Sequence, residues 1–401
     1  MRRVAVSGMG AVSAVGIGCD ALWRAARDGQ SGIGPIDLPH AQGNRVRIGG
    51  AVDAFDPAGL IDEVTLRTCE RYAQFALVAA QEAVAHAGLD RAAFANGRSA
   101  AIIGTGVGGI GTIEAGCRSY YAGQKYDTFA VPRSMPSSAA SHVSIAFDVL
   151  GPTFAVSSAC ASGAQAIGLA MGMIRAGMID RAIVGGAESC LSPGTMRSWE
   201  YLRVLTNDKC RPFSTGRSGM AIGEGAGILV IEAEDVLAAR GGTPLAWLAG
   251  YGTSSDARDM LQPDVDGAAR AIAQGLADAG LGPEAIGYVN AHGTGTVLND
   301  LNEAKALHVV FGDRIADVAV SSSKPVIGHT LGAAGALELL ITIAALREQV
   351  IPPQINCIAP DPRCALRIPV DGAEPRAFDA ALSNSLAFGG INAVLVVTRP
   401  I

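Results

Sequence analysis

One cysteine and two histidines stand apart by the company they keep. Cys160 lies in "FAVSSACASGAQAIG", residues 154–168, where a short apolar run ends in two serines and a helical-looking segment follows. His292 lies in "NAHGTGT" after an apolar strand-like run, and His329 lies in "SSSKPVIGHTLGAAGA". At a junction of buried strand and helix, free N–H groups and the helix dipole stabilise a thiolate. Such a setting lowers a thiol from its usual value near about 8.5 toward attack at neutral pH. The small neighbours Ala159, Ala161, Ser162 and Gly163 leave room for a substrate to approach the sulfur and its adjacent N–H, as an oxyanion site requires. The same stretch also suits a core cysteine in a tight turn. Two histidines in strand-end loops beside a similarly placed cysteine favour nucleophilic Cys/His chemistry. His40, His86, His142 and His308 lack that context and read as structural or surface residues.

Around these three lie candidates for support. Thr294 and Thr296 alternate with glycines, so their hydroxyls could hold an amide-bearing substrate arm or make local turns. Asp300 and Glu303 follow at helix-start positions, where carboxylates are favourable for ordinary capping reasons. Lys324 sits in a loop resembling that of Cys160; buried, it would need a carboxylate, and Glu303 is the nearest candidate in type. Phe388, between Ala387 and Gly389-Gly390, is either a core aromatic at a tight turn or a moving gate.

Composition bounds what these residues serve. The 401-residue chain is 49% hydrophobic with 51 glycines, which suits a layered α/β enzyme. A net charge of -6 argues against nucleic acid as the main partner. The N-terminal apolar run is too short for a signal peptide, and the stretch Leu331–Leu346, interrupted by Glu338, falls short of a membrane span. A cytoplasmic protein is expected. The eight cysteines contain no C-x-x-C pair and no metal-ligand spacing, so no metal site is expected.

Strand-like segments (4–7, 100–103, 154–156, 182–184, 227–232, 246–251, 288–291, 318–321 and 393–397) alternate with helical patterns at 71–86, 161–175, 267–279 and 333–346. This predicts a layered α/β fold with largely parallel pairing. "AVSSAC" (155–160) and "AVSSSK" (319–324) each precede a Gly/Ala-rich helical run. They suggest one unit used twice, with halves at 1–245 and 246–401, Cys160 and Lys324 in equivalent loops, and a site between the halves.

With "RRVAVSGMGAVSAVG" at the start, "GTGVGGIGTIE" from Gly104, "GYVNAHGTGT" from Gly287 and "NSLAFGGINA" near the end, these motifs resemble the β-ketoacyl-[acyl carrier protein] synthases of the elongating synthase II type. The similarity runs in order over nearly the whole chain. The resemblance implies the thiolase fold, a duplicated αβαβα arrangement, and a homodimer or a heterodimer with a chain-length-factor-like subunit. It implies no tightly bound cofactor; the phosphopantetheine arm of an acyl carrier protein brings the substrate. Cys160 would hold the acyl chain as a thioester, and His292 and His329 would assist decarboxylation of a malonyl thioester. The N–H groups of Cys160 and Phe388 would form the oxyanion hole. Lys324 and Glu303 would form a buried ion pair, with Lys324 orienting His329. Thr294 and Thr296 would contact pantetheine, with Val107 and Gly389 also lining the substrate site. Arg67 and Arg203 would dock the acidic carrier.

Departures from the family pattern bear on pathway. Leu386, Ala387 and Ile391 stand where the gating loop usually has an aromatic, a glycine and a threonine, and Ser214 and Ser218 replace usual aspartates. These changes suit a specialised polyketide, polyene or modified acyl pathway over housekeeping fatty-acid synthesis. Alternatives are a subunit active only beside a chain-length factor, a non-catalytic chain-length factor, a thiolase, and a condensing-fold acyltransferase. The joint presence of Cys160, His292, His329 and Lys324 disfavours a bare scaffold.

Overall fold

The computed structural model describes residues 1–400. Ten strands form the continuous path of a large mixed sheet: β1 (Val4–Ser13), β2 (Ser99–Gly104), β3 (Thr153–Val156), β4 (Arg181–Glu188), β5 (Gly225–Ala233), β6 (Ala246–Ser255), β7 (Ile286–Asn290), β8 (Ala319–Ser321), β9 (Ala380–Ala387) and β10 (Ile391–Thr398). Their order is β3-β2-β4-β5-β1-β6-β10-β9-β7-β8. Outward from the β1–β6 seam, each arm runs first, fifth, fourth, second and third in its own chain order.

The pairing is mixed, which corrects the expectation of a largely parallel sheet. Only β2–β3, β2–β4, β7–β8 and β7–β9 are parallel. The inner strands are antiparallel, and β9 turns straight into β10 through the three-residue loop 388–390, with no helical crossover.

Helices fill three layers. On one outer face, α1 (Arg71–His86) packs against β1, β5 and β4. Between the arms of the sheet lie α2 (Ser162–Arg175) and α6 (Ala334–Glu348), while α4 (Val265–Ala279) covers β6 and β10 on the far side beside α5 (Val297–Phe311). α3 (Pro193–Tyr201) borders the site described below. Apart from Ala344, Arg347 and Glu348, every residue of α6 is buried, as its nearly uninterrupted apolar sequence requires. Among the described residues, no helix is long and apolar enough to cross a membrane.

β1 extends six residues beyond the stretch legible as a strand, because Gly8 and Gly10 are sheet residues rather than breakers. An added Cβ on either would lie 2.0 Å from a carbonyl oxygen of α1, Ala83 for Gly8 and Ala79 for Gly10. The helix rides directly on the strand backbone there. Gly10→Ala is therefore expected to push α1 off the sheet and destabilise the protein by roughly 1–3 kcal/mol, read from guanidinium unfolding. A variant as stable as the parent would contradict that contact.

Candidate active site

The candidate residues gather where parallel strands end: Cys160 follows β3, His292 follows β7, Lys324 and His329 follow β8, and Phe388 follows β9. Cys160 is buried in a 3-10 turn, Ala159–Ala161, that runs directly into α2. Ala159 has φ +50°, a left-handed conformation unusual for a residue with a Cβ. Ser162 locks the turn, its Oγ accepting from the Ser158 N–H at 2.9 Å and donating to the Ala159 carbonyl at 2.6 Å.

Burial pushes the Cys160 thiol up to about 12, against the opposing pull of the Lys324 charge and the Phe388 N–H. This reverses the expectation of a thiol already lowered by its helix. The desolvation cost in the closed turn outweighs the dipole, so the resting group is a thiol. His329 Nε2 stands 3.1 Å from its sulfur.

Both histidines are fully enclosed, and their pKa values lie well below the usual 6.5, chiefly through burial and then through the Lys324 charge. They are neutral rings, so each carries one proton. The Leu331 N–H donates to His329 Nδ1 at 3.3 Å, and Lys324 Nζ lies 3.3 Å from His292 Nδ1. With each Nδ1 facing a donor, the ring proton belongs on Nε2. The two rings lie 5.3 Å apart at 83°. The three side chains place donor atoms within 4.8 Å of one another, but protonated Nε2 atoms offer a cation no lone pair. The arrangement sets the Cys160 sulfur beside two neutral imidazoles, a geometry suited to attack by the sulfur and to receiving a developing oxyanion.

Lys324 has a different partner from the one expected. Its Nζ pairs with Glu338 Oε1 at 2.5 Å, both side chains at 0% exposure, and also donates to the His292 carbonyl. Glu303 instead accepts the N–H groups of His292 and Gly293, each at 2.8 Å, and an Asn384 amide at 3.2 Å. Lys324 therefore contacts His292 rather than His329, and Glu303 shapes the turn that carries His292. Asp300 likewise accepts from Phe213 N at 2.8 Å and Gly295 N at 3.2 Å, so neither acid is a simple helix cap. A lone carboxylate in the apolar run 331–346 was the sequence signal for Glu338.

A cavity of about 320 Å³ opens over these groups and is lined by Cys160, His292, His329, Thr294, Thr296 and Phe388, among others. Arg203 lies on its wall and is exposed, whereas exposed Arg67 lies outside it, just past the short helix Glu63–Leu66. Val107 is 37% exposed and does not line this cavity. Gly389 does not line it either; its N–H donates to the Met260 carbonyl at 2.8 Å, and Gly390 faces the cavity instead. Ala387 ends β9 in extended conformation, and the positive φ angles fall on Gly389 and Gly390. Trp199 of α3, not anticipated from sequence, stacks on Phe388 at 5.8 Å and 20°.

The internal similarity holds for the strands but shifts at the turns. The counterpart of the Ala159–Ala161 turn is Leu331–Ala333, also 3-10, also opened by a left-handed residue (Leu331, φ +45°), and also leading into a central helix. Gly332 thus matches Cys160. Residues 323–330, carrying Lys324 and His329, are an insertion with no counterpart after Ser158.

The beta-ketoacyl synthase N-terminal domain model matches residues 1–236 and its C-terminal domain model matches 245–358. Nodulation protein E of Rhizobium leguminosarum bv. trifolii is 42% identical over 400 residues, covering 98% of each chain. The 3-oxoacyl-[acyl-carrier-protein] synthase 2 of Staphylococcus aureus (strain COL) is 38% identical over 407 residues, covering 99% of this chain and 98% of the relative. Among solved structures, the ishigamide ketosynthase/chain length factor superposes with a TM-score of 0.96 at 33% identity over the full length of both chains. The sheet, the enclosed Cys/His/His site and these full-length matches agree: the chain belongs to the β-ketoacyl synthase family, condensing enzymes of the acyltransferase type with the thiolase fold.

Proposed function

We propose that the chain elongates a carrier-bound acyl group by two carbons, through decarboxylative condensation with a malonyl thioester. The observation that carries this reading is the pair of buried imidazoles, each with a ring nitrogen within 4.8 Å of the Cys160 sulfur. In the first half-reaction Cys160 attacks the acyl thioester, the N–H groups of Cys160 and Phe388 receive the oxyanion, and the carrier thiol departs with the proton. In the second, the malonyl C–C bond breaks to release carbon dioxide and leaves its electron pair as an enolate. His292 and His329 donate to that enolate oxygen, a role neutral N–H donors fill and carboxylates cannot. The enolate carbon attacks the Cys160 thioester, and the C–S bond breaks to return the thiolate, which regains a proton from solvent.

Lys324 acts through His292, holding its Nδ1 as an acceptor, and Glu303 fixes the turn beneath it. Thr294 and Thr296, whose hydroxyls are 2.9 Å apart at the cavity wall, receive the amides of a phosphopantetheine arm, with no other cofactor required. Arg203 at the mouth meets an acidic carrier surface. Arg67 would contribute only if the docked carrier reaches beyond the cavity rim.

A second subunit is part of the proposal. Among the described residues β3 pairs only with β2, which leaves its outer edge without a partner strand, and its four residues are half-buried. Exposed apolar side chains flank it, including Ile145 at 69% and Leu150 at 70%. An unpaired, apolar-flanked edge invites a strand from a second copy or from a chain-length factor, as named in the ishigamide structure. Val107 would then face the partner. We also divide the chain into halves at 1–245 and 246–401, a division supported by the matching strand order on either side of the seam.

Reconstitution with acyl- and malonyl-carrier protein, followed by intact mass, tests the chemistry. Wild type should gain an acyl mass and release a β-ketoacyl product, while Cys160→Ala gains none. His292→Ala and His329→Ala should each slow decarboxylation about 10²–10³-fold while still accepting the acyl group. An acylated Cys160→Ala, or undiminished condensation by either histidine variant, would overturn the roles. Lys324→Met strands Glu338 without a partner and should cost about 3–5 kcal/mol in chemical denaturation; a loss under about 1 kcal/mol would show that the pair is dispensable.

A further inference from the structure

The turn that matches the nucleophile's turn has its own anion. Glu188, at the end of β4, is fully buried, and its two carboxylate oxygens meet four donors. Oε1 accepts from Thr105 Oγ1 at 3.0 Å and Val107 N at 3.3 Å, while Oε2 accepts from Gly106 N at 2.6 Å and Gly332 N at 3.0 Å. Two of the partners are glycines for a steric reason. A Cβ on Gly106 or on Gly332 would fall 2.8 or 2.7 Å from Oε2.

Every group facing this carboxylate is a donor. An ionised carboxylate satisfies all four, whereas an amide or a protonated acid turns a hydrogen of its own toward one of them. Burial pushes Glu188 up to about 7, and the Gly106 and Gly332 N–H groups oppose that push.

Gly332 occupies the position of Cys160, and Gly335 follows it as Gly163 follows Cys160. In the first half the turn's N–H is left free to receive a substrate oxyanion; in the second the equivalent N–H is already taken by Glu188. The residue just before Gly332 is Leu331, whose N–H sets the His329 tautomer. We propose that Glu188 is a positioning residue for His329: its carboxylate fills the second half's counterpart of the oxyanion turn and so fixes the Leu331 N–H against Nδ1. This rests on the decarboxylation role given to His329 above, and the carboxylate belongs to no substrate contact.

Glu188→Ala removes the anion and leaves a cage of N–H donors, so formate is the probe. Decarboxylation of malonyl-carrier protein should fall at least tenfold in the variant while acylation of Cys160 falls less than threefold, and added formate should recover most of the lost decarboxylation. Formate should also raise the variant's melting temperature without moving that of wild type. Should Glu188→Ala not fold, Glu188→Gln, of nearly the same shape, should show the same unequal loss without a formate response. An equal loss in both steps, no loss at all, or a folded Glu188→Ala indifferent to formate would overturn the proposal. Wild type that accepts an acyl group but never decarboxylates malonate would instead overturn the functional reading, and the formate effect on melting would still decide whether the cage exists.

Discussion

Lys324 brings an ammonium group into a space closed to water, and much of the site is arranged around that fact. A buried cation needs a partner held close and fixed, which Glu338 supplies from the largely buried helix α6. The remaining donors of Lys324 then fall on the His292 carbonyl and ring. Its field disfavours a second positive charge on either imidazole and favours a negative one on the sulfur. The Lys324 charge thereby adds to burial in keeping both imidazoles neutral and opposes burial at the sulfur, where burial prevails and the resting group is a thiol.

Cys160, His292 and His329 were legible because each sits among small residues at the end of an apolar run, where a bulky or reactive side chain has no packing purpose. Their partners were less legible. Glu303 was paired with Lys324 on charge type and on the family resemblance, but the distance that decides the matter is set by α6, whose placement between the sheet arms no local pattern reveals. Glu188 showed no signal at all, since its four donors come from residues 105–107 and from Gly332, far apart in sequence. β1 was read short because glycine usually weakens a strand, whereas here its lack of a Cβ lets a helix lie on the sheet.

The two halves divide the labour through one difference after their shared "AVSS" strands. After β3 the chain enters the Cys160 turn directly. After β8 it first spends residues 323–330 on delivering Lys324 and His329, and only then makes the same turn, with glycine at the position of the cysteine. The duplication is thus visible in sequence at the strands, but the register of function moves by the length of that insertion.

The central claim is that both buried imidazoles are neutral with their protons on Nε2. A ¹⁵N spectrum of protein labelled at histidine tests it directly, with His292 and His329 assigned from single variants. Both rings should keep a protonated Nε2 and an unprotonated Nδ1 from pH 8 down through 6.5, where a free imidazole is about half protonated. Either ring titrating with a midpoint at or above 6.5, or carrying its proton on Nδ1, would contradict the account.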